Sequence, residues 1–219
     1  EMLPHLFGTR RIPGELLEHA SDLYDAEIRS LDSALGILVD GLRDAGVLDE
    51  TVLVITSDHG ENLGDHGLVD HVMSLHRSLR HVPLVIRYPP AFAPGRVVDD
   101  VVRLEDVAPT ILELCGVTSP SELDGTSLLR DLPGRISRGA LGPPFRYLKR
   151  FAEREGLAFD PKAFRSSLRA VYDGRHHLIR ASDGREELYD VAADPGETKD
   201  LSGEGGETLE RLRALLPDD

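Results

Sequence analysis

The residues with the clearest chemical potential in this chain lie in one loop that follows an apolar segment. The segment TVLVIT at 51–56 leads into Asp58 and His59, and His71 comes later in the same loop. A carboxylate supplies charge to a cation, and a neutral imidazole supplies a directed nitrogen. Asp58 and His59 are therefore candidate metal ligands. The alternative for this pair alone is a helix N-cap aspartate beside a surface histidine.

The rest of this loop adds further acids and imidazoles to the candidate ligands. His71 is a candidate for a second metal ligand or for a donor to the oxygens of an anion. Asp65 and His66 are interpreted as neighbours that brace the loop through hydrogen bonds. Asp70 is expected to face solvent, and His76 is expected to have a structural role.

The elements around the loop predict an α/β fold. Apolar residues at three- and four-residue steps predict one long amphipathic helix over 14–45, and a further helix is predicted over 104–114. The apolar runs 51–56 and 82–88 are typical of strands buried on both faces of a parallel sheet. Ligands in open α/β sheets bind beyond the carboxyl ends of the strands, which is where this loop begins.

The pattern changes in the last third of the chain. Proline and glycine clusters at 133–165 indicate an insertion or linker, with a short helix possible at 145–155. Three short strand candidates separated by Asp-Gly turns then precede an amphipathic tail. We predict an α/β domain over 1–132, the insertion or linker over 133–165, and a small antiparallel sheet with one helix over 166–219.

Composition excludes several classes of protein. The 219 residues include 25 Lys and Arg against 39 Asp and Glu, a formal net charge of −14, which excludes nucleic acid as the main partner. No apolar run reaches the roughly 20 residues of a membrane helix. The opening EMLPHLFGTRR lacks the apolar core of a signal peptide, which slightly favours a cytoplasmic location. The single cysteine, Cys115, excludes an internal disulfide and is expected to be buried.

A series of segments gives the strongest indication of ancestry. YDAEIRSLDSALGILVDGLRDAGVLDETVLVITSDHGENLGDHGL is followed by HVPLVI, DVAPTILELCGV, LDGTSLL, VYDGRHHLI and ELYDVAADPGETKDL. In content and order these segments resemble the C-terminal half of the sulfatase family, within the alkaline-phosphatase superfamily. The resemblance implies a partial α/β/α sandwich of the alkaline-phosphatase-like type, plus a small C-terminal antiparallel sheet packed with a helix.

The resemblance also implies an activity, which is metal-dependent hydrolysis of a sulfate ester on a small molecule or saccharide. The later pair of metal ligands in sulfatases falls on Asp58 and His59. The metal implied is a divalent cation, with Ca²⁺ expected. Mn²⁺, Mg²⁺ and Zn²⁺ stay open because calcium prefers oxygen to the nitrogen of His59. His71 falls where sulfatases commonly place a lysine that holds a sulfate oxygen, so it is the expected substrate-binding residue.

One part of the family pattern is absent from this sequence. The sulfatase nucleophile belongs to a Cys/Ser-x-Pro-x-Arg motif and is oxidised to formylglycine, but Cys115 is followed by GVTSP. We therefore predict no catalytic nucleophile here, and interpret the chain as a C-terminal fragment, processed subunit or split-gene product whose partner is the N-terminal half. Two alternatives stay open. One is a phosphodiester or phosphonate hydrolase, or a phosphoethanolamine-type transferase, of the same superfamily. The other is a non-catalytic subunit.

Overall fold

The protein is described from a computed structural model that covers residues 12–71, 73–119, 121–143, 145–156 and 165–216. The elements, in chain order, are α1 (Gly14–Asp44), β1 (Leu53–Thr56), β2 (Asn62–Leu63), β3 (Val69–Asp70), α2 (Arg77–Arg80), β4 (Leu84–Arg87), α3 (Val107–Leu114), β5 (Ser137–Leu141), α4 (Phe145–Glu155), β6 (Leu168–Tyr172), β7 (His176–Ala181), β8 (Glu186–Asp190) and α5 (Glu207–Arg213). Short 3-10 turns lie at Leu48–Glu50, Asp65–Gly67, Leu104–Asp106 and Ser202–Glu204.

The described residues form two compact units. Those within Glu1–Leu17, His59–His81 and Ile136–Asp219 form one, which we call the sheet unit. Those within Glu18–Asp58 and Val82–Arg135 form the other, which we call the helix unit. The units are groupings by packing, and the predicted domain boundaries stay predictions.

The long helix predicted in the first part of the chain is confirmed as α1. Gly46, two residues beyond the end of this helix, has φ +72°, a left-handed conformation that favours glycine. The Val47 N–H donates to the Leu42 carbonyl at 3.1 Å, which closes the last turn in the manner of a Schellman motif. No residue of α1 is buried, although its apolar stripe follows the predicted period.

The strands on either side of the candidate loop are β1 and β4, and they pair antiparallel. Their register sets Leu53 opposite Arg87 and Thr56 opposite Leu84. The expectation of a parallel sheet is therefore wrong for this pair, and neither strand is buried on both faces. A continuous apolar run indicates a strand, but it carries no information on the direction of the strand's partner.

A buried carboxylate organises the C-terminal part of the helix unit. Asp106 has no exposed surface, and its oxygens accept two hydrogen bonds from Arg135, at 2.6 and 3.0 Å. The N–H groups of Arg103 and Thr126 also donate to it, each at 2.8 Å. Burial opposes ionisation, but the hydrogen bonds from Arg135 and the backbone outweigh it and lower the pKa of Asp106.

The sheet unit is built on four antiparallel strands in the order β5-β6-β7-β8. The three strands predicted after the linker are confirmed as β6, β7 and β8, whereas β5 comes from the segment interpreted as the linker. Alternate residues on the strands belong to two apolar clusters. One cluster contains Leu75, Ala170, Ile179, Tyr189 and Val191. The other contains Val171, Leu178 and Leu188 with Leu209 and Leu212 of α5.

Two further predictions about individual elements can be compared with the structure. The short helix suggested near 145–155 is confirmed as α4, which buries Leu148 and Ala152. Cys115 is exposed, so the expectation of a buried thiol is wrong. It lies one residue beyond the end of α3, where the helical period that suggested burial no longer applies. None of the helices within the described residues is long and apolar enough to cross a membrane.

Candidate metal and anion site

The two predicted metal ligands follow the carboxyl end of β1, as expected. The Ser57 hydroxyl lies 3.5 Å from Asp58 Oδ1, and His59 Nδ1 lies 2.9 Å from the Gly60 carbonyl oxygen. Asp58 is the last residue of its segment of the helix unit, and His59 is the first of the next segment, which belongs to the sheet unit. The pairing of Asp58 and His59 on one cation therefore stays a prediction from the sequence.

A small hairpin carries the next candidate residue. Strands β2 and β3 pair antiparallel with Asn62 opposite Asp70, so the residues that flank this pair, Glu61 and His71, come together. Gly64 opens the connecting turn at φ +109°, which favours glycine over any residue with a Cβ atom. The spacing of Glu61 and His71 along the chain is thus converted into contact by the register of the hairpin.

The His71 imidazole is held between carboxylates. Its Nδ1 lies 3.2 Å from Glu61 Oε2 and 2.9 Å from Asp70 Oδ1. The His71 ring also stacks on the His59 ring, with centroids 4.4 Å apart and planes 22° apart. Carboxylates are acceptors, so they favour a proton on Nδ1; Nε2 is then an acceptor in the neutral ring and a donor in the protonated ring. Asp70 contacts His71, although it was expected to face solvent.

Glu61, Asp70 and His71 form a group that could hold a cation. One ligand atom from each lies within 4.8 Å of the others, and this is the one such group among the described residues. Two carboxylates with an imidazole are a donor set that suits manganese or zinc. Sequence reasoning missed Glu61. The available signal was Gly64 and Gly67, two glycines that lie between Glu61 and His71 in the sequence.

The hairpin is supported from behind by a buried asparagine. Asn62 has no exposed surface; its side-chain N–H donates to the Asp70 carbonyl at 2.9 Å, and its Oδ1 accepts the Ser78 hydroxyl at 2.7 Å. The Gly60 N–H donates to the Leu79 carbonyl at 2.9 Å. A Cβ atom at Gly60 would lie 2.0 Å from the Ser78 carbonyl oxygen, so glycine is required by this close approach.

A stacked pair of imidazoles connects the hairpin turn to the residue before α2. His66, at φ +53°, stacks on His76 with ring centroids 3.6 Å apart and planes 9° apart. His76 Nδ1 lies 2.7 Å from the Ser74 hydroxyl, and Nε2 lies 2.8 Å from Glu187 Oε2. The hydrogen bond from His76 is the main reason why the pKa of Glu187 falls to about 2. Burial, followed by repulsion from His76, lowers the pKa of His66.

A second buried chain of polar groups joins α2 to the four-stranded sheet. His177 Nδ1 lies 2.5 Å from Glu197 Oε1, and Arg80 Nη1 donates to His177 Nε2 at 3.0 Å. An arginine can only donate, so these contacts assign the Nδ1–H tautomer of a neutral His177. Burial lowers the pKa of His177, in keeping with that neutral form.

Comparison with known proteins places these features in a family. Residues 8–117 match the family model of the sulfatases, and residues 64–216 match that of N-sulphoglucosamine sulphohydrolase, C-terminal. Arylsulfatase K of Xenopus laevis is 31% identical over 175 residues, which are 78% of this chain and 32% of that relative.

Two solved structures extend the comparison to the fold. One is of a protein in complex with its substrate, D-glucosamine-2-N,6-O-disulfate; it is 26% identical with a TM-score of 0.69, over 86% of this chain and 37% of that one. The other is the phosphonate monoester hydrolase of Agrobacterium radiobacter, 26% identical with a TM-score of 0.63, over 86% of this chain and 40% of that one.

These matches share one limit, which is that the chain spans less than half the length of each relative: 32%, 37% and 40%. Within that span the similarity is continuous, because the two family models together run from residue 8 to residue 216. The α/β fold of the alkaline-phosphatase-like type, predicted from the sequence, is confirmed by the solved structures. The chain belongs to the sulfatase family of the alkaline-phosphatase superfamily.

Proposed function

We propose that this chain is the C-terminal part of a sulfuric ester hydrolase and that it supplies metal and anion ligands to the active site. The observation that carries the proposal is the setting of His71, whose Nδ1 is held by Glu61 and Asp70 and whose ring stacks on His59. That setting fixes an imidazole beside a predicted metal ligand. Membership of the sulfatase family supports sulfate ester hydrolysis as the reaction.

The first proposed task of the chain is to hold a divalent cation through Asp58 and His59. A carboxylate and an imidazole fit such a cation, and when bound it would act as a Lewis acid on the oxygens of the ester. We propose Ca²⁺ by family resemblance. The nitrogen of His59 leaves Mn²⁺, Mg²⁺ or Zn²⁺ as alternatives. The group formed by Glu61, Asp70 and His71 is an alternative donor set, which a measured cation count distinguishes.

The second proposed task is to bind the anion through His71. Negative charge gathers on the nonbridging and leaving-group oxygens during transfer, so a donor aimed at them lowers the barrier. With Nδ1–H engaged by Glu61 and Asp70, a protonated His71 would donate through Nε2. The neutral ring would present Nε2 as an acceptor, so the proposed anion binding requires the imidazolium.

We further propose that the nucleophile comes from an N-terminal partner region. The sequence contains no Cys/Ser-x-Pro-x-Arg motif, and formylglycine is therefore expected in that region. The exposed apolar stripe of α1 supports this proposal, because a helix of this amphipathic pattern normally packs against another element. A sulfated saccharide is the proposed substrate class, supported by the ligand of one of the similar structures.

Hydrolysis of a phosphonate or phosphodiester is the alternative function. The observation that favours it is His71 itself, at the position where sulfatases commonly place a lysine, together with the similarity to a phosphonate monoester hydrolase. A histidine donor changes charge with pH near neutrality, whereas a lysine does not.

The test is turnover of p-nitrophenyl sulfate beside p-nitrophenyl phosphate and a p-nitrophenyl phosphonate monoester. It is run on the chain alone and on the chain joined to the coding sequence found upstream of it, with metal content measured by mass spectrometry. We expect sulfate turnover in the joined form, lost in Asp58→Ala and reduced in His71→Asn. Asp22→Ala and His19→Asn, both on exposed positions of α1, are the matched controls.

Each other result identifies a different error. A preference for the phosphonate monoester would assign the alternative function. Turnover by the chain alone would show that the nucleophile lies within it. Full activity and full metal content in Asp58→Ala would move the cation to the group of Glu61, Asp70 and His71.

A further inference from the structure

Helix α2 occupies a central position in the sheet unit, between the hairpin that carries His71 and the four-stranded sheet. It is only Arg77–Arg80, too short to be stable by its own hydrogen bonds. Its side chains and backbone are instead bonded on both sides. The position of this short helix is therefore set by those contacts.

The contacts between α2 and the sheet meet at Glu197, a residue that is 1% exposed. Its Oε2 accepts the Arg77 N–H at 2.8 Å, and its Oε1 accepts Nδ1–H of His177. Arg80 donates to His177 Nε2 and, at 2.9 Å, to the Ser137 hydroxyl. Each oxygen of Glu197 thus satisfies a different donor, one on α2 and one on β7.

The contacts to the hairpin begin at Ser78, which lies between those two arginines. Its hydroxyl donates to Asn62, and Asn62 donates to the Asp70 carbonyl. The Asp70 carboxylate then accepts the His71 backbone N–H at 2.6 Å and lies 2.9 Å from Nδ1 of the ring. Hydrogen bonds, together with the covalent steps from Arg77 to Ser78 and within Asp70, therefore link Glu197 to the imidazole of His71 through α2.

We propose that Glu197 and Ser78 are positioning residues for His71, so that the C-terminal sheet sets where the anion-binding imidazole lies. The proposal rests on the proposed function for the task of His71, but the placement of the ring is a separate claim. The reason for this placement is that each donor and acceptor in this path meets at least one group of the right kind. Few alternative arrangements would satisfy all of the groups at once.

Glu197→Gln tests this path by replacing one carboxylate oxygen with an amide N–H₂ group of nearly the same size. The amide keeps one acceptor oxygen but points an N–H₂ group at a second donor, either the Arg77 N–H or His177 Nδ1–H. One contact of α2 must therefore be lost or rearranged. Ser78→Ala is the milder second variant, because it removes one hydroxyl donor and leaves Asn62 Oδ1 without it.

The experiment is histidine ring NMR on the full chain labelled with ¹³C and ¹⁵N histidine. The His71 signal is assigned by its loss in His71→Asn. We expect Glu197→Gln and Ser78→Ala to shift that signal. The matched controls Glu204→Gln and Ser202→Ala, whose side chains bond only at the surface of the sheet unit, should leave it unchanged. An unmoved His71 signal in both test variants, with the chain still folded, overturns the proposal.

The kinetic arm uses whichever preparation hydrolyses the sulfate ester. We expect Glu197→Gln to lower kcat/KM by about tenfold through misplacement of the donor. The double variant with His71→Asn should then be no slower than His71→Asn alone. A merely structural effect would add to the loss, and additive losses would count against positioning. If no preparation turns over the ester, the proposed function fails, while the NMR arm still decides the placement claim.

Discussion

Helix α1 and strands β6 to β8 of the four-stranded sheet form where their sequence patterns predict, yet they differ in whether their apolar faces are buried. The sheet places alternate residues in two apolar clusters, and Leu178 at its centre has no exposed surface. The helix has the predicted period and length but no buried residue, and its Leu31 is 61% exposed. Amphipathic pattern therefore predicts that an element forms, but burial depends on a partner surface.

The same contrast separates the polar groups of the two regions. The sheet unit buries His177 and Glu197 and joins them by a hydrogen bond, whereas the charged side chains of α1 lie at the surface. We infer that the sheet unit, together with Asp106 and the groups that hydrogen-bond to it, contributes most of the free energy of unfolding. Side chains on α1 should contribute little as long as its apolar stripe is exposed. The following predictions test this inference from the largest expected effect to the smallest.

Arg135→Met should cause the largest loss of stability. It removes the nearer of two cationic partners of a fully buried carboxylate, since Arg103 lies 3.7 Å from Asp106 Oδ1 and Arg135 lies 2.6 Å from Oδ2. Loss of a buried partner costs about 3–5 kcal/mol in the free energy of unfolding. The measurement is urea unfolding at neutral pH. Arg96→Met is the control, because Arg96 is exposed and lies 3.6 Å from an exposed Asp131. Equal losses in both variants would show that Asp106 does not need its arginine.

Leu178→Ala should reduce the free energy of unfolding by about 2–5 kcal/mol, since it leaves a cavity in the sheet cluster. Leu31→Ala makes the same chemical change on α1, where the side chain is exposed. We expect its effect to stay within about 0.5 kcal/mol. Urea unfolding of both variants compares the two regions directly. A loss at Leu31 as large as that at Leu178 would mean that α1 is covered in solution.

The buried imidazoles should make the chain less stable in mild acid. Burial holds the pKa of His177 below its ordinary value of 6.5. As pH falls through that value the unfolded chain takes up a proton before the folded chain does, so stability is present above pH 6.5 and falls below it. The free energy of unfolding between pH 7 and pH 5 measures this slope.

His177→Gln should flatten that slope, because it removes one of the groups that bind protons more readily in the unfolded state. His19→Gln, at an exposed position of α1, is the matched control variant. His66 shares the direction of the shift, so part of the slope should persist in His177→Gln. A slope unchanged by His177→Gln would contradict the buried neutral tautomer.

The smallest effects should come from two glycines of the helical segment. Gly46→Ala forces φ +72° on a residue with a Cβ atom, which costs about 1–2 kcal/mol. Gly36→Ala lies inside α1, where a Cβ atom meets nothing within 4 Å. It should stabilise the chain by about 0.5–1 kcal/mol. The midpoint temperature of thermal unfolding should therefore fall in Gly46→Ala and rise in Gly36→Ala. A change in the same direction in both variants would contradict the assigned end of α1.

The candidate site was predictable only in part. The position of Asp58 and His59 after β1 followed from an apolar strand that ends in a polar triplet. The partners of His71 did not follow, because Asp70 was expected to face solvent and Glu61 was passed over. Nothing in the sequence pointed to Asn62, because its role depends on its burial behind the hairpin.

The sequence alone predicts local secondary structure and membership of a family. Helix α1, the strands β6 to β8, the tail helix and the family all follow from periodicity, turn residues and ordered motifs. Three features depend on the folded chain. They are the antiparallel direction of β1 and β4, the elements that pack on each apolar face, and the tautomer of His177. His76 and Glu187, 111 residues apart in the chain, meet within 2.8 Å. Local patterns specify backbone conformation, but contacts of this kind exist only once the tertiary structure has brought distant segments together.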